Sequence, residues 1–208
     1  MIKQGLVSII TPCYNGEKLI HRLLDSILSQ DYPSIEMIIV DDGSKDKTHD
    51  VIENYINKFK QKGYSLLYLY QDNAGQAAAI NKALPEVNGE FLVWPDADDY
   101  YSCCTSISEM VKAFYSLDDS YGIVRCGESF VDEKTLQVVS AHKYKVQKEH
   151  LFEEYFTAKE SVAVAGTHMM RMKCFDEVNP SRHIFDKRHA QNFQMLLPVS
   201  YSYKIYTL

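Results

Sequence analysis

The chain has 208 residues, of which 46% are hydrophobic and 24% charged, as is ordinary for a globular protein. That length suits one domain with a sizeable core, or two small ones. The formal net charge of -6 argues against generalised nucleic-acid binding, which needs a basic surface. Its apolar stretches are all shorter than the ~18 residues of a membrane span. We therefore expect a cytoplasmic protein, with peripheral contact at the inner face of the membrane left open.

The first half of the chain alternates between strand and helix patterns. Apolar runs predict strands at 6–10, 35–40, 65–70 and 90–95. Apolar residues at helical spacing predict helices between them, within 16–29, 51–59 and 75–84. This alternation predicts right-handed crossovers and a mainly parallel sheet with helices on both faces.

The pattern changes after Ser102. A helix reaching about Leu117 is followed by two strand patterns, at 122–132 and 136–145, that predict an antiparallel pair. A short amphipathic helix at 149–158 and a strand at 162–172 come next. Residues 199–208 have the pattern of a strand in mid-course, so we expect the fold to continue beyond Leu208.

Polar clusters follow three of the predicted parallel strands. They are "TPCYN" at 11–15, "DDGS" at 41–44 and "DADD" at 96–99. In parallel sheets ligands gather at the carboxyl ends of the strands. We therefore expect all three clusters to open onto one edge of the sheet.

The common nucleotide and catalytic motifs are missing from the sequence. It has no GxGxxG after the first strand, no GxxxxGK[ST], no HExxH and no GxSxG. A dinucleotide site, a P-loop and a zincin site are therefore not supported. A Ser-His-Asp triad stays open, although the usual strand-to-helix elbow is absent.

Carboxylates dominate the clusters. Hard oxygens such as those of Asp96 and Asp98 suit Mg²⁺ or Mn²⁺, which carboxylates usually hold together with substrate phosphates. A carboxylate at Asp41 or Asp42 could accept the N3–H of a uracil or an equivalent base edge. Each cluster alone also fits a solvated turn or a helix cap.

The order and spacing of the motifs are more specific than any one of them. Residues 7–48, the segment "NAGQAAAINKAL" and "DADD" together resemble the amino-terminal part of the family 2 glycosyltransferases of GT-A fold. The likeness is close over residues 6–102. It implies a single domain at 1–208, with a nucleotide-sugar-binding half at 1–102. The acceptor-side half at 103–208 extends the same sheet and is expected to be truncated at its carboxyl end.

The resemblance assigns donor contacts to the matching positions. They are Pro12, Tyr14, Asn15 and Glu17 beside the nucleoside, Asp41 and Asp42 at the base, Asn73 and Gly75 beside the diphosphate and ribose, and Asp96 near the ribose. Asp98, in the D-x-D motif, would bind Mn²⁺ or Mg²⁺.

Two departures from the family pattern affect the chemistry. The arginine common before the second Asn of the third motif is Ile80 here, and Lys82 is only a weak substitute. Many members carry Glu-Asp, the Asp being the catalytic base, where this chain has Gln191 and Asn192. An amide is no useful proton acceptor near pH 7.

The catalytic assignment therefore centres on Asn192 and its neighbourhood. Candidates for the base are His189, Asp186 and His168. His189 is preferred because it lies three residues from Asn192 in the predicted helix.

The sequence as a whole predicts a metal-dependent, inverting transferase of hexosyltransferase type. Its donor would be a nucleotide sugar, UDP-sugar favoured, and its acceptor the hydroxyl of a saccharide or lipid-linked acceptor. A role in cell-surface polysaccharide synthesis is an expectation from the family. The alternatives are a degenerate nucleotide-sugar-binding module, motivated by the Gln-Asn pair, and a nucleotidyltransferase.

Overall fold

A computed structural model of the protein describes residues 2–144, 148–157, 163–185 and 190–208. The strands are β1 Lys3–Cys13, β2 Ile35–Asp42, β3 Ser65–Gln71, β4 Gly89–Val93, β5 Tyr121–Arg125, β6 Glu128–Val131, β7 Val138–His142, β8 His168–Arg171 and β9 Lys204–Thr207. The helices are α1 Ile20–Leu28, α2 Thr48–Lys62, α3 Gln76–Ala83, α4 Ser106–Ser116, α5 Phe152–Thr157, α6 Met172–Val178 and α7 Gln191–Ser202.

In the described part of the chain, seven strands form one sheet in the order β3-β2-β1-β4-β8-β5-β9. The strands β3, β2, β1 and β4 run parallel, β8 is antiparallel to both of its neighbours, and β9 is parallel to β5. This confirms the predicted mainly parallel sheet. The pairing of Cys13 with Asp41 aligns the exits of β1 and β2, so the polar clusters share an edge as expected.

Apolar side chains cover both faces of the central strands. Alternate residues of β1 and β2, such as Ile10 and Ile38, pack with α3, α6 and α7 on one face. Their neighbours Ile9 and Met37 pack with α1, α2 and α4 on the other. Because both faces are buried, the strands are continuous apolar runs, which is why the sequence revealed them.

The predicted antiparallel pair at 122–132 and 136–145 is divided differently. Only β5 joins the main sheet, while β6 pairs with β7 as a separate hairpin. The division falls at Gly127, where a Cβ would lie 2.7 Å from the carbonyl oxygen of His142. The close approach of the Gly127 backbone to β7 at the start of this hairpin therefore depends on a residue without a side chain.

Two of the predicted strands are partly wrong. The run at 162–172 is a strand only over His168–Arg171, and Met172 begins α6, which the sequence pattern did not predict. Residues 199–202 belong to α7, and a strand starts only at Lys204. Short apolar runs fit helix and strand alike, and tertiary packing decides between them. No helix within the described ranges has the length and apolar character to cross a membrane.

A buried carboxylate joins three strands of the sheet. Glu36, only 9% exposed, accepts hydrogen bonds from the Ser8 hydroxyl at 2.5 Å and from the Asn88 N–H at 2.7 Å. The Ser8 oxygen in turn accepts the Gly89 N–H at 2.8 Å. This network fixes β4 against β1 and β2, and so fixes where the exit of β4 lies.

We predict that Glu36→Ala destabilises the fold by about 2–4 kcal/mol, because it leaves the Ser8 hydroxyl and the Asn88 N–H without an acceptor. Urea unfolding measures the change as a lower midpoint at an unchanged slope. Glu53→Ala on the exposed face of α2 is the matched control and should stay within about 0.5 kcal/mol of the parent. Equal midpoints for the two variants would refute the role of Glu36.

Candidate functional site

A cavity of about 400 Å³ opens at the carboxyl edge of the sheet, where the exits of β1, β2 and β4 meet the amino end of α3. Its lining is Pro12, Cys13, Tyr14, Asn15, Gly16, Leu19, Asp42, Gln76, Asp96, Ala97 and Asp98. Six of the residues predicted from the sequence are thus brought together: Pro12, Tyr14, Asn15, Asp42, Asp96 and Asp98. Glu17, Asp41, Asn73 and Gly75 lie beside the cavity rather than in its lining.

The loop after β1 is tied to the loop after β2. Asn15 donates its N–H to the Ser44 hydroxyl and accepts the Lys45 N–H on its side-chain oxygen, at 2.9 and 2.8 Å. Glu17 accepts the Lys47 N–H at 2.9 Å. The Tyr14 ring is left 52% exposed at the cavity, where a planar ligand can stack on it. Asn15 and Glu17 therefore shape the site through the backbone of the neighbouring loop.

The two carboxylates at the end of β2 have different surroundings. Asp41 is 2% exposed and accepts the Tyr68 hydroxyl and the Ser44 N–H, both at 2.8 Å. Asp42 is 4% exposed and lines the cavity. Successive residues of a strand point to opposite faces, so only one of the pair reaches the ligand space directly.

Asp42 also builds the loop that follows β3. Its Oδ1 accepts the Gln71 side-chain amide at 2.7 Å and the Ala74 N–H at 2.8 Å, and its Oδ2 accepts the Gly75 N–H at 2.8 Å. The Asn73 side chain donates to the Asp42 carbonyl at 2.9 Å. Gly75 has φ of 96°, which a residue with a side chain rarely adopts. Asn73 and Gly75 are thus positioned by Asp42.

The "DADD" turn concentrates negative charge. Asp98 is exposed, whereas Asp96 is half-buried and accepts the Gln76 side-chain amide at 2.9 Å. Burial, with the charge of Asp98, raises the pKa of Asp96 to about 6. Burial, with the charge of Asp96, raises the pKa of Asp99 to about 7, and Asp99 accepts the Asp96 N–H at 3.1 Å. The turn is therefore a place where a nearby positive charge is stabilising.

This donor set fits a hard divalent cation that shares its shell with a ligand. In the described ranges no cluster of three His, Cys, Asp or Glu side chains could hold a metal by itself. Mg²⁺ and similar ions are typically held by one or two carboxylates together with substrate phosphates and water. Asp98 and Asp96 supply that number of carboxylates.

Lys82 does not take the place of the family's arginine. Ile80 is 1% exposed in the core, and the Lys82 ammonium donates to the Tyr70 carbonyl at 2.8 Å, outside the cavity lining. The weak expectation that Lys82 replaces the arginine is therefore not supported. Among the described residues that line the cavity, none is basic.

The start of α7 lies against the exit of β4. The Gln191 side-chain amide donates to the Gln76 side-chain oxygen at 2.6 Å. Asn192 accepts the indole N–H of the buried Trp94 at 3.0 Å and donates to the Ala163 carbonyl at 3.0 Å. The amide of Asn192 is thus engaged at both ends. The sequence had not singled out Gln76 or Trp94, although Gln76 directly follows Gly75 and Trp94 lies two residues before Asp96.

Of the three candidates for the catalytic base, the structure describes only His168. His189 and Asp186 lie outside the described residues. His168 is completely buried, with the Tyr155 and Thr167 hydroxyls each 2.9 Å from a ring nitrogen. Burial lowers the pKa of His168 to about 3. A histidine satisfied in this way belongs to the core, so His168 is excluded as the proton acceptor.

The profile of glycosyl transferase family 2 matches residues 8–178. The chain belongs to glycosyl transferase family 2. It is 37% identical over 130 residues to an uncharacterized glycosyltransferase of Rickettsia typhi, covering 62% of this chain and 38% of that protein. It is 43% identical over 94 residues to TuaG of Bacillus subtilis, provisionally assigned to teichuronic acid biosynthesis, covering 45% of this chain and 36% of TuaG. The family 2 chain thus spans about two-fifths of the length of these relatives.

Solved structures identify the fold. The S. aureus protein TarS, residues 1–349 in complex with UDP-GlcNAc, superposes with a TM-score of 0.71 at 23% identity, covering 98% of this chain and 56% of that one. The mannosyltransferase PcManGT of Pyrobaculum calidifontis, with GDP-Man and Mn²⁺, gives 0.69 at 20% identity, covering 97% and 54%. The family 2 chain therefore has the GT-A fold, as predicted.

We predict that Asp42→Asn loosens the loop at 73–75 and lowers the free energy of unfolding by about 1–3 kcal/mol. The asparagine has an NH₂ group in place of one carboxylate oxygen, so one of the N–H groups that now donate to Asp42 would face another donor. Urea unfolding measures the loss, and hydrogen exchange at Ala74 and Gly75 locates it. Asp72→Asn, on the exposed residue just before the loop, is the control and should leave both unchanged. Unaltered protection at both amides in Asp42→Asn would contradict the prediction.

Proposed function

We propose that this chain is the nucleotide-sugar-binding domain of a glycosyltransferase that moves a sugar to an acceptor hydroxyl. The observation that carries the proposal is the cavity itself. Its lining combines the exposed aromatic ring of Tyr14, the buried carboxylate of Asp42 and the acidic pair Asp96 and Asp98. A ligand with a planar base, a ribose and a metal-bound diphosphate has a chemical group to match each of these.

The proposal extends to domain organisation and to the donor. Residues 1–102 supply the donor side and residues 103–208 the acceptor side of one domain. A UDP-sugar is favoured because the Asp41–Asp42 pair can accept the N3–H of uracil. The complex of TarS with UDP-GlcNAc supports that class of donor. The likeness to TuaG supports a saccharide or lipid-linked acceptor in cell-surface polysaccharide synthesis.

Each side chain has a role in the transfer. Pro12 and Tyr14 cover the nucleoside, and Asp42 holds both the base and the loop carrying Asn73 and Gly75. Asp98, with Asp96 beside it, would hold Mn²⁺ or Mg²⁺. When bound, that ion neutralises charge on the leaving diphosphate. The complex of PcManGT with Mn²⁺ supports this choice of ion.

The chemical step is an inverting displacement. The acceptor oxygen attacks the anomeric carbon from the face opposite the diphosphate, whose bond to that carbon breaks. The products are the glycoside and a nucleoside diphosphate, and the acceptor proton passes to a base. Neither end of the Asn192 amide is available for that proton, so the sequence preference for His189 is kept as the proposal.

A nucleotide panel tests the proposal. Isothermal calorimetry with UDP, GDP and CDP, each with Mn²⁺, Mg²⁺ or EDTA, should rank UDP first and show loss of affinity in EDTA. One of the two variants Asp41→Ala and Asp42→Ala should alter the ranking of the nucleosides, and we expect it to be Asp42→Ala because Asp42 lines the cavity. Release of free UDP from UDP-sugars then separates an enzyme from a binding module. Binding without turnover favours the module, and absence of nucleotide binding refutes the donor site.

Asp98→Asn should abolish cation-dependent UDP binding and lower sugar transfer by about 10²-fold or more, because a charged ligand is replaced by a neutral amide. Circular dichroism should show an unchanged fold, since Asp98 is exposed. Asp50→Asn, an exposed residue of α2, serves as the matched control with parental affinity. Full turnover by Asp98→Asn at saturating Mn²⁺ would remove this residue from the site.

His189→Gln should lower kcat by about 10²–10⁴-fold with donor affinity nearly unchanged, because a general base is lost but a donor contact is not. In the parent, activity should fall as pH drops below about 6.5, where an unperturbed histidine becomes protonated and no longer accepts a proton. That acidic limb should disappear in the variant. His150→Gln, an exposed histidine before α5, is the control. A parental kcat in His189→Gln eliminates His189 as the base.

A further inference from the structure

A line of hydrogen bonds runs from α7 through Gln76, which lines the cavity, to the exit of β4. The side-chain amide of Gln191 donates to the side-chain oxygen of Gln76 at 2.6 Å, and the amide of Gln76 donates to Oδ1 of Asp96 at 2.9 Å. Gln76 is the first residue of α3 and Gln191 the first of α7. Three separate elements thus meet at one carboxylate of the "DADD" turn.

We propose that Gln76 is a positioning residue for donor binding, and that Gln191 fixes its amide so that the Asp96 carboxylate is held in one orientation. This inference rests on the proposed function, because it concerns how the same cavity holds a nucleotide and its cation. We call Gln191, Gln76 and Asp96 together the amide clamp.

The donor and acceptor atoms determine how the three side chains of the amide clamp are oriented. A carboxylate can only accept, so the amide nitrogen of Gln76 must face Asp96. The oxygen of Gln76 then faces α7 and needs a donor. Gln191 provides one because its side chain is an amide. A glutamate at 191, the residue common in the resembling family, has no proton to donate there and would compete with Asp96 for the amide of Gln76.

The neighbouring amide fixes the start of α7 in place. Asn192 bonds to the indole of Trp94 and to the Ala163 carbonyl. Trp94 and Asp96 are two residues apart at the exit of β4. Both members of the Gln191–Asn192 pair are therefore used to join α7 to the same turn. This gives the two amides a chemical role in place of the acid and base of the family pattern.

The clamp leaves one oxygen of Asp96 facing the ligand space. Gln76 occupies Oδ1, and none of the described residues donates to Oδ2. The bond from Gln76 to Oδ1 holds the carboxylate in one orientation. An oriented Asp96 can accept a ribose hydroxyl or share the cation with Asp98 without first being rearranged.

The test compares Gln76→Leu, Gln191→Leu, the double variant and Gln191→Glu by calorimetry with UDP and Mn²⁺. Because the bond from Gln76 to Asp96 is exposed to solvent, we expect Gln76→Leu to lose what an ordinary hydrogen bond contributes, an affinity loss of about 3–10-fold. Gln191→Leu should lose less. The double variant should match Gln76→Leu, because Gln191 acts through Gln76. Gln191→Glu keeps its size yet should lose at least as much as Gln191→Leu, and the half-saturating Mn²⁺ concentration should rise in all four.

Two further measurements separate positioning from stability. Gln61→Leu on the exposed face of α2 is the matched control and should keep parental affinity. The unfolding midpoints of the clamp variants should stay near that of the control. By NMR, the side-chain amide resonances of Gln76 should shift in Gln191→Leu even without nucleotide.

The outcomes are distinct. Parental UDP and Mn²⁺ affinity in Gln76→Leu and Gln191→Glu, beside normal binding by the parent, overturns the clamp and leaves the proposed function standing. If the affinity loss of the double variant equals the sum of the two single losses, Gln191 does not act through Gln76 and that part of the proposal is refuted. A parent that binds no nucleotide with any cation overturns both the proposed function and the inference that rests on it.

Discussion

The Asp42 carboxylate is the contact on which the rest of the site depends. It ends a strand buried on both faces, so its charge is removed from water on the protein side. The chain offsets that cost with an amide from Gln71 and two backbone N–H groups from the loop after β3. The same bonds set where α3 begins, and with it where Gln76 lies. The buried charge of Asp42 thus fixes the conformation of the loop after β3, and that loop fixes the position of Gln76 in the cavity.

Electrostatics then decide what the cavity can hold. Asp42, Asp96 and Asp98 line it, and none of its described lining residues is basic. A diphosphate entering such a space meets repulsion unless a cation accompanies it. Burial, together with the neighbouring carboxylates, raises the pKa values of Asp96 and Asp99. In the proposed function, nucleotide and cation therefore bind as a unit, with the acidic turn holding the ion and the β1 and β2 exits holding the nucleoside.

The Gln191–Asn192 pair departs from the family pattern, and its contacts in the fold give both amides a role. By sequence, two amides at the place of an acid and a base suggest lost function. In the fold, Asn192 bonds directly to Trp94 at the end of β4, and Gln191 bonds to Gln76, which in turn bonds to Asp96. An amide donates and accepts at once, which a carboxylate cannot do. The pair can therefore tie α7 to the turn from both sides.

The sequence by itself determined the parallel half of the sheet and the gathering of its polar exits. Strands such as β2 are buried on both faces, so their apolar runs are continuous and unambiguous. Near the carboxyl end, Val199 packs in the core as part of α7, although its segment has the pattern of a strand. Short apolar runs carry no period of their own, so long-range packing decided that segment. Tertiary structure alone also decided that Asp41 faces Tyr68 while Asp42 faces the cavity, and that Gln76 meets Gln191 across 115 residues of chain. Contacts so distant in sequence leave no local pattern, because what selects them is the position of whole elements.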